Sequence, residues 1–120
     1  MSDHTKPAAA PAIEKYTVPN GPMTVELRTA PNGLKQLGGG IIRFDDGGSG
    51  EPWKLPYEEV LCVLTGTLRV AFDDTEIVAG PGEVVTIPRG ALVVYTGEPG
   101  TSAFYALTPA DWYKQHPNGL

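Results

Sequence analysis

The sequence predicts an all-β, single-domain barrel, and three observations carry that expectation. Short apolar runs rich in Val, Ile, Phe and Tyr recur from Met23 onward, and these residue types fit a pleated sheet surface. The 15 glycines and 12 prolines fall at the ends of those runs, where they act as turn punctuation rather than low complexity. A chain of 120 residues has room for one core, and many short strands with regular turns close economically into a sandwich or barrel.

Taken in order, residues 1–20 are rich in Ala and Pro and show neither the helical nor the strand period. They read as an N-terminal arm that either packs on a partner subunit, with Ile13, Tyr16 and Val18 as apolar anchors, or trails as a loose tail. Residues 21–120 form the barrel domain. Strands are expected at 24–27, 40–44, 58–64, 67–72, 76–78, 84–87, 92–95 and 103–107. Thr65-Gly66, Asp73-Asp74, Pro81-Gly82, Pro88-Arg89-Gly90 and Glu98-Pro99-Gly100 supply the turns between them. Gly38-Gly39-Gly40 reads as a bend or close packing within a strand. The loop 45–51 carries Asp45, Asp46 and Glu51 without the D-x-D-x-D-G order of a calcium loop, and is expected as a mobile flap at the barrel mouth. Helical character is confined to the ends, where Pro109-Ala110-Asp111-Trp112-Tyr113 begins one short C-terminal turn.

Charge and composition exclude several functions. A formal charge of -5 argues against a surface that tracks phosphates, so nucleic acid is not an expected partner. No apolar run reaches the roughly 20 residues of a spanning helix, so a membrane is not expected either. Cys62 is the sole cysteine and the start of the chain lacks the apolar core of a signal peptide; both point to the cytoplasm. His4 and His116 sit in the terminal segments and read as solvated bystanders.

Two spacings carry the most information. Glu59 to Gly66 spells E-x6-G, and Gly82 through Pro88 to Gly90 spells G-x5-P-x-G. This pair resembles the two-part signature of the cupins, which are double-stranded β-helix, jelly-roll barrels. In the cupins it resembles, histidines stand five and seven residues before the glutamate and three after the last glycine. Here those positions are Lys54, Pro52 and Val93. A transition metal held by three imidazoles and one carboxylate would keep only the carboxylate, so no metal and no cofactor is expected. The strings PWKLPYEEVLCVLTGTLRV, AGPGEVVTIPRG and FYALTPADW further resemble the cupin of the ethanolamine-utilisation protein Q family. The resemblance implies acetate-kinase-like phosphoryl transfer in ethanolamine metabolism, yet the chain has no G-x4-G-K-[ST] loop.

The resemblance also implies that Glu59 points into the barrel. Strand alternation then sends Tyr57, Leu61 and Val63 to the same face, and Tyr95 inward beside Val93. A carboxylate desolvated among aliphatic side chains gains proton affinity, which suits a general acid or base near neutrality. Glu59, Tyr57 and Tyr95 are therefore the candidate catalytic residues, while Arg43, Trp53, Lys54 and Tyr105 are candidates for substrate binding. A buried carboxylate satisfied by Tyr57, Tyr95 or Arg43 is the structural alternative for Glu59. Glu58 faces the other way, solvated or paired with Lys54 or Arg69. Cys62 alternates away from Glu59 and has no histidine to activate it. The expected protein is a homodimeric, metal-independent cupin that takes a small polar organic molecule into its barrel. Two functions stay open: proton transfer next to a carbonyl (isomerase, lyase or decarboxylase), or non-catalytic ligand binding as an accessory of a catabolic pathway.

Overall fold

Eleven strands form two facing sheets in a computed structural model that describes residues 6–112. The larger sheet contains β1 (Thr17–Asn20), β2 (Met23–Glu26), β3 (Gly38–Phe44), β6 (Glu58–Thr65), β9 (Val84–Ile87) and β11 (Thr101–Thr108), in the order β1-β2-β3-β11-β6-β9. The smaller contains β4 (Gly48–Ser49), β7 (Leu68–Phe72), β8 (Thr75–Ala79) and β10 (Leu92–Gly97), in the order β4-β10-β7-β8. A further pair of residues, β5 (Trp53–Lys54), also pairs with β10. His4, Tyr113 and His116 lie outside the described residues.

Strand period decides what fills the space between the sheets. On β6, Glu59, Leu61 and Val63 are buried while Glu58, Val60 and Leu64 are exposed. The same alternation sends Tyr105 and Leu107 of β11 inward, and Val93 and Tyr95 of β10 inward from the opposite sheet. The core is thus a jelly-roll interior in which aliphatic side chains surround one carboxylate and several phenols.

All eight expected strands form, and three more join them. Pro19 obscured β1, but β1 is the edge of its sheet, where a missing N–H is tolerated. Thr17–Asn20, read from sequence as the end of the arm, belongs to the sheet through its pairing with β2. The two-residue strands β4 and β5 owe their form to pairing with β10 and have no local signal. The 45–51 segment, expected as a mobile flap, is tied to β10: the Gly50 amide donates to the Tyr95 carbonyl at 2.9 Å and the Ser49 and Thr96 hydroxyls are 2.6 Å apart.

The motif glycines have backbone reasons. Gly66 turns the chain from one sheet to the other at φ 76°, and a Cβ there would collide with Thr101. A Cβ on Gly39 would stand 2.8 Å from the Tyr105 carbonyl, and one on Gly40 would overlap the Glu26 carbonyl. The glycine run is therefore close packing, as its sequence suggested. At the C-terminal end, the Trp112 amide donates to the Pro109 carbonyl at 3.2 Å and forms the short turn.

Candidate functional site

Glu59 comes from β6, between Ile87 of β9 and Leu107 of β11 in the cross-strand register. Only 7% of its surface is exposed. The Tyr95 hydroxyl reaches across from β10 and donates to Glu59 Oε1 at 2.7 Å, which joins the two sheets through the barrel interior. Burial pushes the Glu59 carboxyl up to about 7, against a smaller downward pull from the Tyr95 hydrogen bond. At neutral pH it is therefore present in both protonation states.

The phenols move in the same direction. Burial raises Tyr57, Tyr95 and Tyr105, and the negative charge of Glu59 adds to each. They remain protonated throughout the physiological range, so they can donate hydrogen bonds but not act as bases. Tyr95 gives its proton to Glu59, and Tyr105 donates to the Glu26 carbonyl at 3.3 Å. The Tyr57 hydroxyl has no hydrogen-bond partner among the described residues.

These side chains line a cavity of about 40 Å³, room for roughly two or three waters. Its walls include Tyr57, Glu59, Leu61, Tyr95, Tyr105 and Trp53. Neither Val63 nor Val93 lines it, so these two fill the barrel below without plugging the chamber. Asn20, Met23, Trp53 and Tyr95 also border an outer recess of about 290 Å³, so these four side chains form a common wall between it and the chamber, at the β1–β2 turn and the 50–53 segment.

Five of the seven expected site residues meet at this cavity: Glu59, Tyr57, Tyr95, Trp53 and Tyr105. Arg43 and Lys54 do not. Ile42 and Phe44 take the inward positions of β3, so Arg43 points out, where its Nε is 3.3 Å from Glu26 Oε2 and a second nitrogen is 3.9 Å from Asp45. Lys54 is exposed on β5, with Trp53 before it turned toward the cavity. Glu59 thus takes its hydrogen bond from Tyr95 and not from Arg43. Glu58 is exposed, one of the two outcomes expected for it, and Arg69 pairs instead with Glu76 at 3.2 Å and Glu98 at 3.9 Å.

Two features of the site were not among the expected site residues. Trp112 closes the chamber from the C-terminal side, its ring 4.9 Å from Tyr57 and 5.7 Å from Trp53 between centroids. The closing P-A-D-W string was visible, but nothing local ties it to the barrel interior. The second is Glu26, 6% exposed although it alternates away from Val25. Arg28 binds it at 2.7 Å and also donates to the Ala10 carbonyl at 3.1 Å, so the arm covers this carboxylate from outside.

A metal does not fit the chamber. Val93 and Pro52 offer no side-chain donor, Lys54 is an exposed ammonium, and Glu59 already accepts from Tyr95. Among the described residues no group of three His, Cys, Asp or Glu converges to hold an ion.

Known proteins share this fold. The chain is 33% identical over 64 residues to the acetate kinase EutQ of Clostridioides difficile, a match covering 53% of this chain and 41% of that protein. The chain thus spans well under half the length of that relative. The solved structure of the Clostridium difficile EutQ protein superposes with a TM-score of 0.73 at 24% identity, over 85% of this chain and 82% of that one. KdgF from a Halomonas species superposes with a TM-score of 0.70 at 15% identity, over 85% and 94% of the two chains. The family model described as ethanolamine utilisation protein EutQ matches residues 17–114, from β1 past Trp112. With its jelly-roll barrel and the shared motif blocks, this chain belongs to the EutQ family of cupins.

Proposed function

We propose that the chain is a metal-independent cupin that admits a small polar organic metabolite to the Glu59 chamber and moves a proton next to a carbonyl. The observation that carries this reading is a carboxyl group raised to about 7, held by a phenol, at the wall of a cavity. In this scheme ionised Glu59 takes a proton from the carbon beside the carbonyl. The Tyr57 hydroxyl donates a hydrogen bond to the enolate oxygen that forms, and Glu59 returns the proton to a different carbon or to the same one. Isomerisation and elimination share this abstraction, while decarboxylation reaches the same enolate by loss of carbon dioxide and uses only the donation of a proton to carbon. The small volume supports a second reading, a non-catalytic binder or accessory protein, because only a ligand of a few heavy atoms fits without side-chain movement.

Phosphoryl transfer, the activity named for the acetate kinase EutQ relatives, is not the chemistry we assign to this chamber. Developing phosphate charge calls for Lys, Arg or a metal, and among the described residues none that lines the cavity carries a positive charge. The free thiol of Cys62 suits a reducing compartment, and we place the protein in the cytoplasm.

The test is solvent exchange. A panel of small carbonyl compounds incubated with the protein in deuterium oxide should include at least one whose α-protons exchange, with chelator present or absent. Exchange that vanishes with chelator would contradict the metal-independent scheme. Ligand-induced stabilisation without exchange would select the binding reading.

We also propose a homodimer. Val84, Cys62, Phe104 and Ile41 lie in one row across the outer face of β9, β6, β11 and β3. Val84, Phe104 and nearby Leu64 are exposed, β9 is an unpaired edge, and a second copy of the chain would cover both. Light scattering at micromolar concentration should give twice the chain mass, falling toward one chain in Val84→Lys/Phe104→Lys. A monomeric wild type would refute it.

A further inference from the structure

We infer that the ligand of the Glu59 chamber carries a small organic cation, an ammonium or methylated ammonium group, held by aromatic walls and the Glu59 carboxylate. This rests on the ligand-binding reading of the cavity and adds the class of ligand. Five aromatic side chains, Trp53, Tyr57, Tyr95, Tyr105 and Trp112, surround the carboxyl group. Trp53, Tyr57 and Trp112 are mutually tilted by 56° to 71°, so they form a corner and not a stack. Such a corner presents negative ring faces in more than one direction, the arrangement that recognises ammonium groups.

The polar groups favour the same charge. Two of the three phenols already donate to protein oxygens, Tyr95 to Glu59 and Tyr105 to the Glu26 carbonyl, which leaves few donors to receive an anion. What a ligand head meets is mostly ring surface and a carboxylate acceptor, with the Tyr57 hydroxyl and the Asn20 amide as the remaining polar groups of the lining. Glu51 borders the outer recess, and among the described residues no Lys, Arg or His lines either the chamber or the recess. The inner volume of about 40 Å³ suits a cationic head, and the recess of about 290 Å³ suits the polar remainder of the molecule. A positive nitrogen near the reacting carbon would also acidify its C–H bond, which joins this inference to the proton transfer proposed above.

Binding should therefore be coupled to protons. The titratable groups facing Glu59 are Tyr57 just before β6, Tyr95 on β10 and Tyr105 on β11, while β9 presents Ile87. The phenols stay protonated, so Glu59 is the group that exchanges. A cation beside it favours the carboxylate, so binding near pH 6.5 releases part of a proton and strengthens as pH rises toward 8.

Isothermal titration of the full chain with methylammonium and trimethylammonium, beside tert-butanol and acetate, tests this. Run at pH 6.5 in two buffers of different ionisation enthalpy, the ammonium ions should bind at least tenfold more tightly than the neutral and anionic probes and should release protons. Trp53→Leu should weaken ammonium binding by roughly tenfold, and Glu59→Gln should abolish the proton release while a melting curve reports that the variant is folded. If tert-butanol or acetate binds as tightly as the ammonium ions, the cation inference fails and the chamber remains a ligand site. If no probe of any charge binds, both fail.

Discussion

Glu59→Gln should cut turnover by roughly 10² to 10⁴ while the barrel stays folded, because the amide keeps the shape of the side chain and an oxygen for Tyr95 but cannot carry the proton. The same substitution should change how stability depends on pH. In the unfolded chain the carboxyl titrates near 4.5, and in the folded chain near 7, so the native state holds the extra proton between those values. That contribution is complete below 4.5 and is lost as pH rises through about 7. The wild type should therefore lose about 3 kcal/mol through this one group between pH 4.5 and 8, and Glu59→Gln should not. Denaturant unfolding of both proteins at pH 5 and pH 8 measures the difference. Parallel pH curves for the two would show that Glu59 titrates normally in the folded protein.

Gly40→Ala carries the largest expected structural effect. Its Cβ would overlap the Glu26 carbonyl and stand 2.9 Å from the Tyr105 hydroxyl. Backbone cannot yield as a flexible side chain can, so β2 and β3 must separate locally or the Tyr105 hydrogen bond must break. The expected loss is on the order of 3 kcal/mol or more, read as a fall in the denaturation midpoint. Gly33→Ala is the matched comparison, because nothing lies within 4 Å of its Cβ and only its φ of 77° is strained. A loss in Gly40→Ala no larger than in Gly33→Ala would show that the strands are not packed this closely.

The barrel was legible in the sequence because its cues are local. Alternation on β6 placed Glu59, Leu61 and Val63 inside, and the motif glycine Gly66 marks a left-handed corner that other residues resist. The site was legible in part for the same reason: once Glu59 faced inward, Tyr57 followed by period, and Tyr95 followed by the same period from Val93, which holds the place of the last cupin histidine. Arg43 failed because its assignment used charge and nearness without parity; Ile42 and Phe44 hold the inward positions beside it. Trp112 and Glu26 stayed hidden because each acquires its environment from a distant segment, Trp112 from Tyr57 and Trp53, and Glu26 from Arg28 beneath the arm. Strands β4 and β5 exist only as partners of β10, and no window of sequence that short encodes them.

The proton transfer proposed for the chamber depends on a carboxyl that exchanges its proton near neutrality. Carbon-13 NMR of protein labelled at the glutamate side-chain carboxyls, titrated from pH 3 to 9, reads that property, with the Glu59 resonance identified by its absence in Glu59→Gln. Glu59 should titrate at about 7, and higher still in Tyr95→Phe, where the hydrogen bond that favours the carboxylate is gone. A Glu59 resonance that titrates near 4.5 in the folded wild type would contradict the account.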